Sequence, residues 1–91
     1  MTIKYYAYFR DYTGVKQEEF PPCEDVRALL LAISDKYGKT FRKKLLSEDG
    51  GALGAELILM INGRGVEHLG GFEAKLAPGD TVAVFPVVAG G

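Results

Sequence analysis

Val26, Leu29, Leu30, Ile33 and Tyr37 stand at i, i+3, i+4, i+7 and i+11, one apolar stripe along a helix. A stripe of this kind cannot fold alone and has to be laid on another element. The helix has both ends marked. Pro22 closes the preceding loop, Asp25 is placed to cap the first free N–H groups, and Gly38 suits the left-handed position past the last turn. The flanking sequence offers strands, so the stripe predicts one main helix packed on one face of a sheet.

The strands are read from alternation. In "TIKYYAYFRDYTG", Ile3, Tyr5, Ala7 and Phe9 point one way and Lys4, Tyr6, Tyr8 and Arg10 the other. Gly14 ends this first strand. "VKQEEF" predicts a short, charged edge strand, joined to the first as a hairpin through "DYTG". "LILMINGRG" is a second hairpin, because Asn62-Gly63 is a favoured type I′ pair between strand-forming runs. Pro78-Gly79-Asp80 forms a turn into the last strand, "TVAVFP". Pro86 cannot donate to a ladder, so it ends that strand or lies at its edge. Between helix and second hairpin, Phe41, Leu45 and Leu46 fit one or two helical turns, with Lys43 and Lys44 facing solvent; "SEDGGALG" reads as a mobile loop. The order predicts an α+β fold, a mixed sheet of about five strands with one main helix on one face.

Ninety-one residues make a single domain. With 47% hydrophobic and 25% charged residues and a net charge of −1, the chain has no global basic field for nucleic acid or acidic membrane. One cysteine, Cys23, can neither close an internal disulfide nor hold an iron–sulfur cluster, which fits a reducing, cytoplasmic compartment. "MTIKYYAYFRD" lacks the apolar core of a signal peptide, and the apolar runs are too short to span a bilayer. His68 reads as an incidental surface histidine. No nucleophile–base arrangement points to a self-contained hydrolase, and no bound cofactor or metal is expected.

Parity assigns Tyr6, Tyr8, Ile58, Met60 and Phe85 to the sheet face that the helix leaves open. Apolar groups so exposed mark a protein partner. Lys4, Arg10 and Arg64 are candidate rim charges. The competing expectation is that "FRKKLLSEDGGALG" folds over part of that face.

The chain closes on "AVFPVVAGG". Gly90 and Gly91 restrain the backbone least of all residues, so they serve a packed domain poorly and suit an end that enters another protein. Residues 1–87 are expected to form the domain and 88–91 a flexible tail.

Four segments, "YAYFRDYTG", "DVRALL", "INGRGVEHL" and above all "LAPGDTVAVFPVVAGG", resemble the MoaD/ThiS family of ubiquitin-like sulfur carriers, which have the β-grasp fold. The chain is most similar to the longer, archaeal-type MoaD proteins. It departs from the best-known MoaD pattern at Val87, where that pattern has a second proline. The resemblance implies that the Gly91 carboxylate is adenylated by a ubiquitin-activating-type enzyme, which uses ATP, and is then converted to a thiocarboxylate. As molybdopterin synthase small subunit the chain would donate that sulfur to the pterin precursor, in a heterotetramer with two catalytic large subunits. Pro86, Val87, Val88 and Ala89 would lead Gly90 and Gly91 into the partner. Relatives serve thiamin or tRNA thiolation or are joined to lysines as protein modifiers; a plain β-grasp binding module is the remaining alternative.

Overall fold

The structure is a computed structural model, and it describes residues 1–87. The elements, in order, are β1 (Thr2–Tyr5), α1 (Phe9–Thr13), β2 (Gln17–Glu19), α2 (Val26–Tyr37), α3 (Lys39–Leu45), β3 (Leu57–Ile61), β4 (Arg64–Gly65) and β5 (Thr81–Pro86), with 3-10 turns at Val66–His68 and Gly71–Glu73. The strands form one mixed sheet in the order β2-β1-β5-β3-β4. β1 and β5 run parallel at its centre, and the other pairings are antiparallel. A parallel pair needs a long crossover. Here that connection carries the helices, which therefore share one face.

The core lies between that face and the helices. Ile3, Tyr5, Leu57, Leu59, Ile61, Val82 and Val84 come from the sheet; Val26, Leu29, Leu30 and Ile33 come from α2. The Asp25 carboxylate accepts from the Ala28 N–H at 2.9 Å, so the expected cap forms. Gly38 has φ 96° and ψ −179°, a positive φ but not the left-handed helical conformation expected. Its N–H closes α2 on the Ser34 carbonyl while its own carbonyl accepts from the Arg42 N–H and opens α3.

α3 settles where the middle segment goes. Phe41 is fully buried against Tyr5, Phe9, Tyr12 and Tyr37, with ring centroids 5.0–6.3 Å apart. Leu45 and Leu46 are buried beside it. The segment thus extends the core on the helix side and leaves the other sheet face uncovered. Behind α3, Gly54 donates its N–H to the Leu45 carbonyl, and a Cβ there would lie 2.3 Å from the Lys44 carbonyl oxygen. Only glycine fits that approach without a backbone shift.

The first strand is shorter than its alternation suggests. β1 stops at Tyr5, and Ala7 takes φ 52°, a left-handed conformation that breaks an extended run. The N–H groups of Phe9, Arg10 and Asp11 then bond to the carbonyls of Tyr6, Ala7 and Tyr8. Phe9 is still buried, but from α1 rather than from a strand. Gly14, at φ 74°, caps α1 rather than ending β1. The link from β1 to β2 is therefore a helical turn, not a tight hairpin.

β2 is the expected edge strand, yet one of its charges faces inward. Glu18 pairs in register with buried Ile3. Its carboxylate accepts from the Tyr5 and Tyr37 hydroxyls and from the Lys36 ammonium. Burial alone would raise the Glu18 carboxyl; the hydrogen bonds from Lys36, Tyr37 and Tyr5 outweigh it and hold the group below the usual carboxylate range. Burial first, and the Glu18 carboxylate second, push the Tyr5 and Tyr37 phenols up. The sign follows from linkage: a depressed folded value gives stability that is complete above the unfolded value and is lost as pH falls through the folded one. Glu18→Gln should therefore lower stability at neutral pH and flatten its decline below about pH 4. Urea denaturation between pH 2 and 7 checks this; parallel curves for the two proteins would refute it.

At the other side of the sheet two turns clasp each other. Asn62 and Gly63 have φ 51° and 81°, as a type I′ turn requires. The Asn62 amide donates to Asp80 and accepts from the Thr81 N–H, and Asp80 also accepts from the Ala77 N–H. The start of β5 is thus fixed to the end of β3, and β5 leaves the sheet at the opposite end.

Candidate docking face and chain exit

Strand register brings the open-face residues together. Ile58 lies opposite Phe85, and Met60 lies opposite Ala83. Tyr6 follows directly after the β1–β5 pairing, donating its N–H to the Val84 carbonyl. Its ring stacks on Phe85, centroids 4.3 Å apart and planes 11° from parallel. Ile58 is 43% exposed, while Met60, Phe85 and Tyr6 are half-buried by one another. These four side chains form one apolar patch because β5 lies between β1 and β3.

Tyr8 is placed differently. It lies beyond the strand as the residue preceding α1, is 40% exposed, and meets Phe9 edge to face at 5.3 Å. Strand alternation does not govern it. Pro86 ends β5 as expected, but it is buried opposite Leu57 on the helix side. Its ring therefore does not extend the open patch; its missing N–H falls where the ladder stops.

Val87 is the chain exit. Its N–H donates to the Glu56 carbonyl at 2.7 Å, which fixes the backbone beyond the strand, and its side chain is 45% exposed. Val88, Ala89, Gly90 and Gly91 lie outside the described residues. Phe85 is two residues before Val87, so the patch adjoins the last described residue.

Of the candidate rim charges, Lys4 and Arg10 border this face. Lys4 is opposite Ala83 across the β1–β5 pair. The Arg10 guanidinium lies over the Tyr6 ring, 5.7 Å from its centroid. Arg64 does not: it pairs with Ile61, whose side chain enters the core, so it belongs to the helix side. Sequence parity missed this because β4 is only two residues long and begins straight after the turn.

Cys23 and His68 stand apart from one another and from the patch. Burial first, and Asp25 as a nearby negative charge, push the Cys23 thiol up, the reverse of what activates a thiol. His68 sits on an exposed turn beside Glu67. Among the described residues no group of three or more His, Cys, Asp and Glu side chains is arranged to hold a metal ion. None of the described helices is long and apolar enough to cross a membrane.

Comparison with known proteins agrees with the fold. The ThiS family model matches residues 3–91. Small archaeal modifier protein 3 of Haloferax volcanii is 33% identical over 93 aligned positions, covering 100% of this chain and 98% of that protein. The solution structure of small archaeal modifier protein 1 from Methanosarcina acetivorans superposes with a TM-score of 0.83 at 27% identity, over 99% of this chain and 94% of that one. A Pyrococcus furiosus structure, provisionally named molybdopterin converting factor subunit 1, gives 0.72 at 32% identity, over 96% and 95%. With its mixed five-stranded sheet and the helices packed on one face of it, the chain belongs to the ThiS/MoaD family of ubiquitin-like β-grasp sulfur carriers.

Proposed function

We propose that this protein is a sulfur carrier whose working group is the Gly91 carboxylate. A ubiquitin-activating-type enzyme joins that carboxylate to AMP from ATP, releasing pyrophosphate, and a sulfur nucleophile then displaces AMP to leave a thiocarboxylate. The acceptor we favour is the pterin precursor of the molybdenum or tungsten cofactor. The chain would serve as small subunit of a molybdopterin synthase, with the catalytic residues on the large subunit. The likeness to the Pyrococcus furiosus converting-factor structure supports that acceptor.

The observation that carries the carrier reading is the position of the apolar patch. Tyr6, Ile58, Met60 and Phe85 adjoin Val87, the last described residue before the glycines. A partner docked on this patch holds the body of the carrier while the terminal residues reach its active site. From Val87 to Gly91 the backbone spans at most about 17 Å. Ordering it costs about 1–2 kcal/mol per residue, and burial of the patch, at roughly 25 cal/mol per Å² of apolar surface, offsets that. Glycines without Cβ atoms let catalytic groups approach the terminal carbon closely.

A second reading rests on the full-length similarity to small archaeal modifier protein 3. The same adenylate can pass Gly91 to a lysine amine of a target protein. One experiment separates the two. The protein is isolated intact from its own cells and its mass measured, alongside a search of tryptic digests for lysines carrying the segment 76–91, which is what cleavage after Lys75 leaves attached. Replacement of one terminal oxygen by sulfur, together with co-purification of a molybdopterin synthase large subunit, is the result expected. Lysines carrying the 76–91 segment without any thiocarboxylate would replace the carrier reading by the modifier reading.

A further inference from the structure

We propose that Arg10 is the anion-recognition residue of the docking face and receives a carboxylate side chain of the adenylating enzyme. The inference rests on the carrier reading and adds the chemistry of the contact.

Arg10 is held before any partner arrives. Its Nε–H donates to the Tyr5 carbonyl at 2.9 Å. Its guanidinium lies over Tyr6, and Tyr6 in turn stacks on Phe85. Guanidinium, phenol and phenyl groups thus run in sequence from α1 across β1 to β5, on the open face and beside the chain exit. The left-handed Ala7 makes this possible: it turns the chain so that Arg10 comes back over Tyr6.

The remaining donors are available. Nε is engaged, and no carboxylate among the described residues forms an ion pair with Arg10. A guanidinium fixed through Nε and a ring face still presents its Nη N–H groups, which suit a carboxylate. Lys4, on the same face, likewise has no ion-pair partner among the described residues. The face is therefore locally cationic on a chain whose net charge is −1. Glu19, on the edge strand, accepts from the Thr2 hydroxyl on the neighbouring strand. Charge complementarity selects an acidic partner surface. Arginine and tyrosine are also among the residue types enriched in interface hot spots. Pre-organisation matters as well, since a side chain already ordered loses less freedom on binding than a mobile surface lysine.

The test is ATP-dependent adenylation by the cognate adenylating enzyme, with wild type, Arg10→Ala, Arg10→Lys and, as a charge control on the helix side, Lys43→Ala. Arg10→Ala should raise KM for the carrier about tenfold or more with little change in kcat. Arg10→Lys should recover only part of this, because an ammonium lacks the planar fork. Lys43→Ala should match wild type. Wild-type KM in Arg10→Ala would overturn the inference and leave the carrier reading standing; failure of the wild-type chain to be adenylated would overturn both. Melting curves guard against a folding defect. If Arg10→Ala melts early, Arg10→Lys and a charge reversal take its place. Arg10→Glu rescued by an acid-to-lysine change in the enzyme supports the contact, and absence of rescue by any acidic position in its docking surface overturns it.

Discussion

Adding one alanine after Gly91 is expected to reduce adenylation and thiocarboxylate formation by about a hundredfold or more while leaving the melting temperature unchanged. The extension moves the terminal carboxylate by about 3.3–3.6 Å. It also puts a methyl group where the chain otherwise has only glycine. A misplacement of about 1 Å at a reacting centre already costs on the order of a hundredfold in rate, so a full residue abolishes productive alignment. Stability should be indifferent because the core is complete upstream: Ile3, Leu29, Leu59, Val82 and Val84 are buried, and Val87 makes its backbone bond to Glu56. Intact mass and calorimetry on the same samples check both halves. An extended protein that still acquires sulfur at the wild-type rate refutes the role of the Gly91 carboxylate. Normal loading lost together with a drop of many degrees in melting temperature would show that the terminus contributes to the fold.

The largest effect on stability is expected from Phe41→Ala, at about 3–5 kcal/mol. Phe41 is fully buried and touches four other aromatic rings, drawn from β1, α1 and α2. Removing it opens a cavity that rigid neighbours cannot fill, and it unties α3 from α1. A domain of this size has roughly 5–14 kcal/mol in total at about 0.05–0.15 kcal/mol per residue. The variant should therefore melt more than about 12 °C lower, given about 4–8 °C per kcal/mol for domains near this length. Equilibrium urea denaturation gives the number directly. A loss under about 1 kcal/mol would mean that α3 does not seal the core. The consequence for function is indirect, since the open face depends on the same sheet that Phe41 closes from behind.

Much of this was legible in the chain. The stripe from Val26 to Ile33 identified α2 and its buried face. Asn62-Gly63 fixed the β3–β4 turn, because few residues other than glycine and asparagine take positive φ without strain. Alternation put Ile58, Met60 and Phe85 on the open side correctly, since strand parity is local and survives any arrangement of the sheet. Parity failed where the strand stopped. "YYAYFRD" sets Tyr6 and Tyr8 at alternate positions as a strand would, but after Ala7 the chain enters a helix. A left-handed alanine has no signature in the sequence. Glu18 was not legible: only the register of β2 against β1 places it opposite Ile3, so a charge expected on a solvated edge points inward.

By itself the sequence determined α2, the Asn62-Gly63 turn and the parity of β1, β3 and β5, because these depend on φ, ψ preferences and neighbours a few residues away. Only the tertiary structure decided which strands lie side by side. Placing β5 between β1 and β3 gathers Tyr6, Phe85, Met60 and Ile58 into one patch, folds α3 behind it, and sets Arg10 over Tyr6. Those contacts join residues up to 79 positions apart, from Tyr6 to Phe85. They are set by which packing buries the most apolar surface, and no local pattern in the chain records that choice.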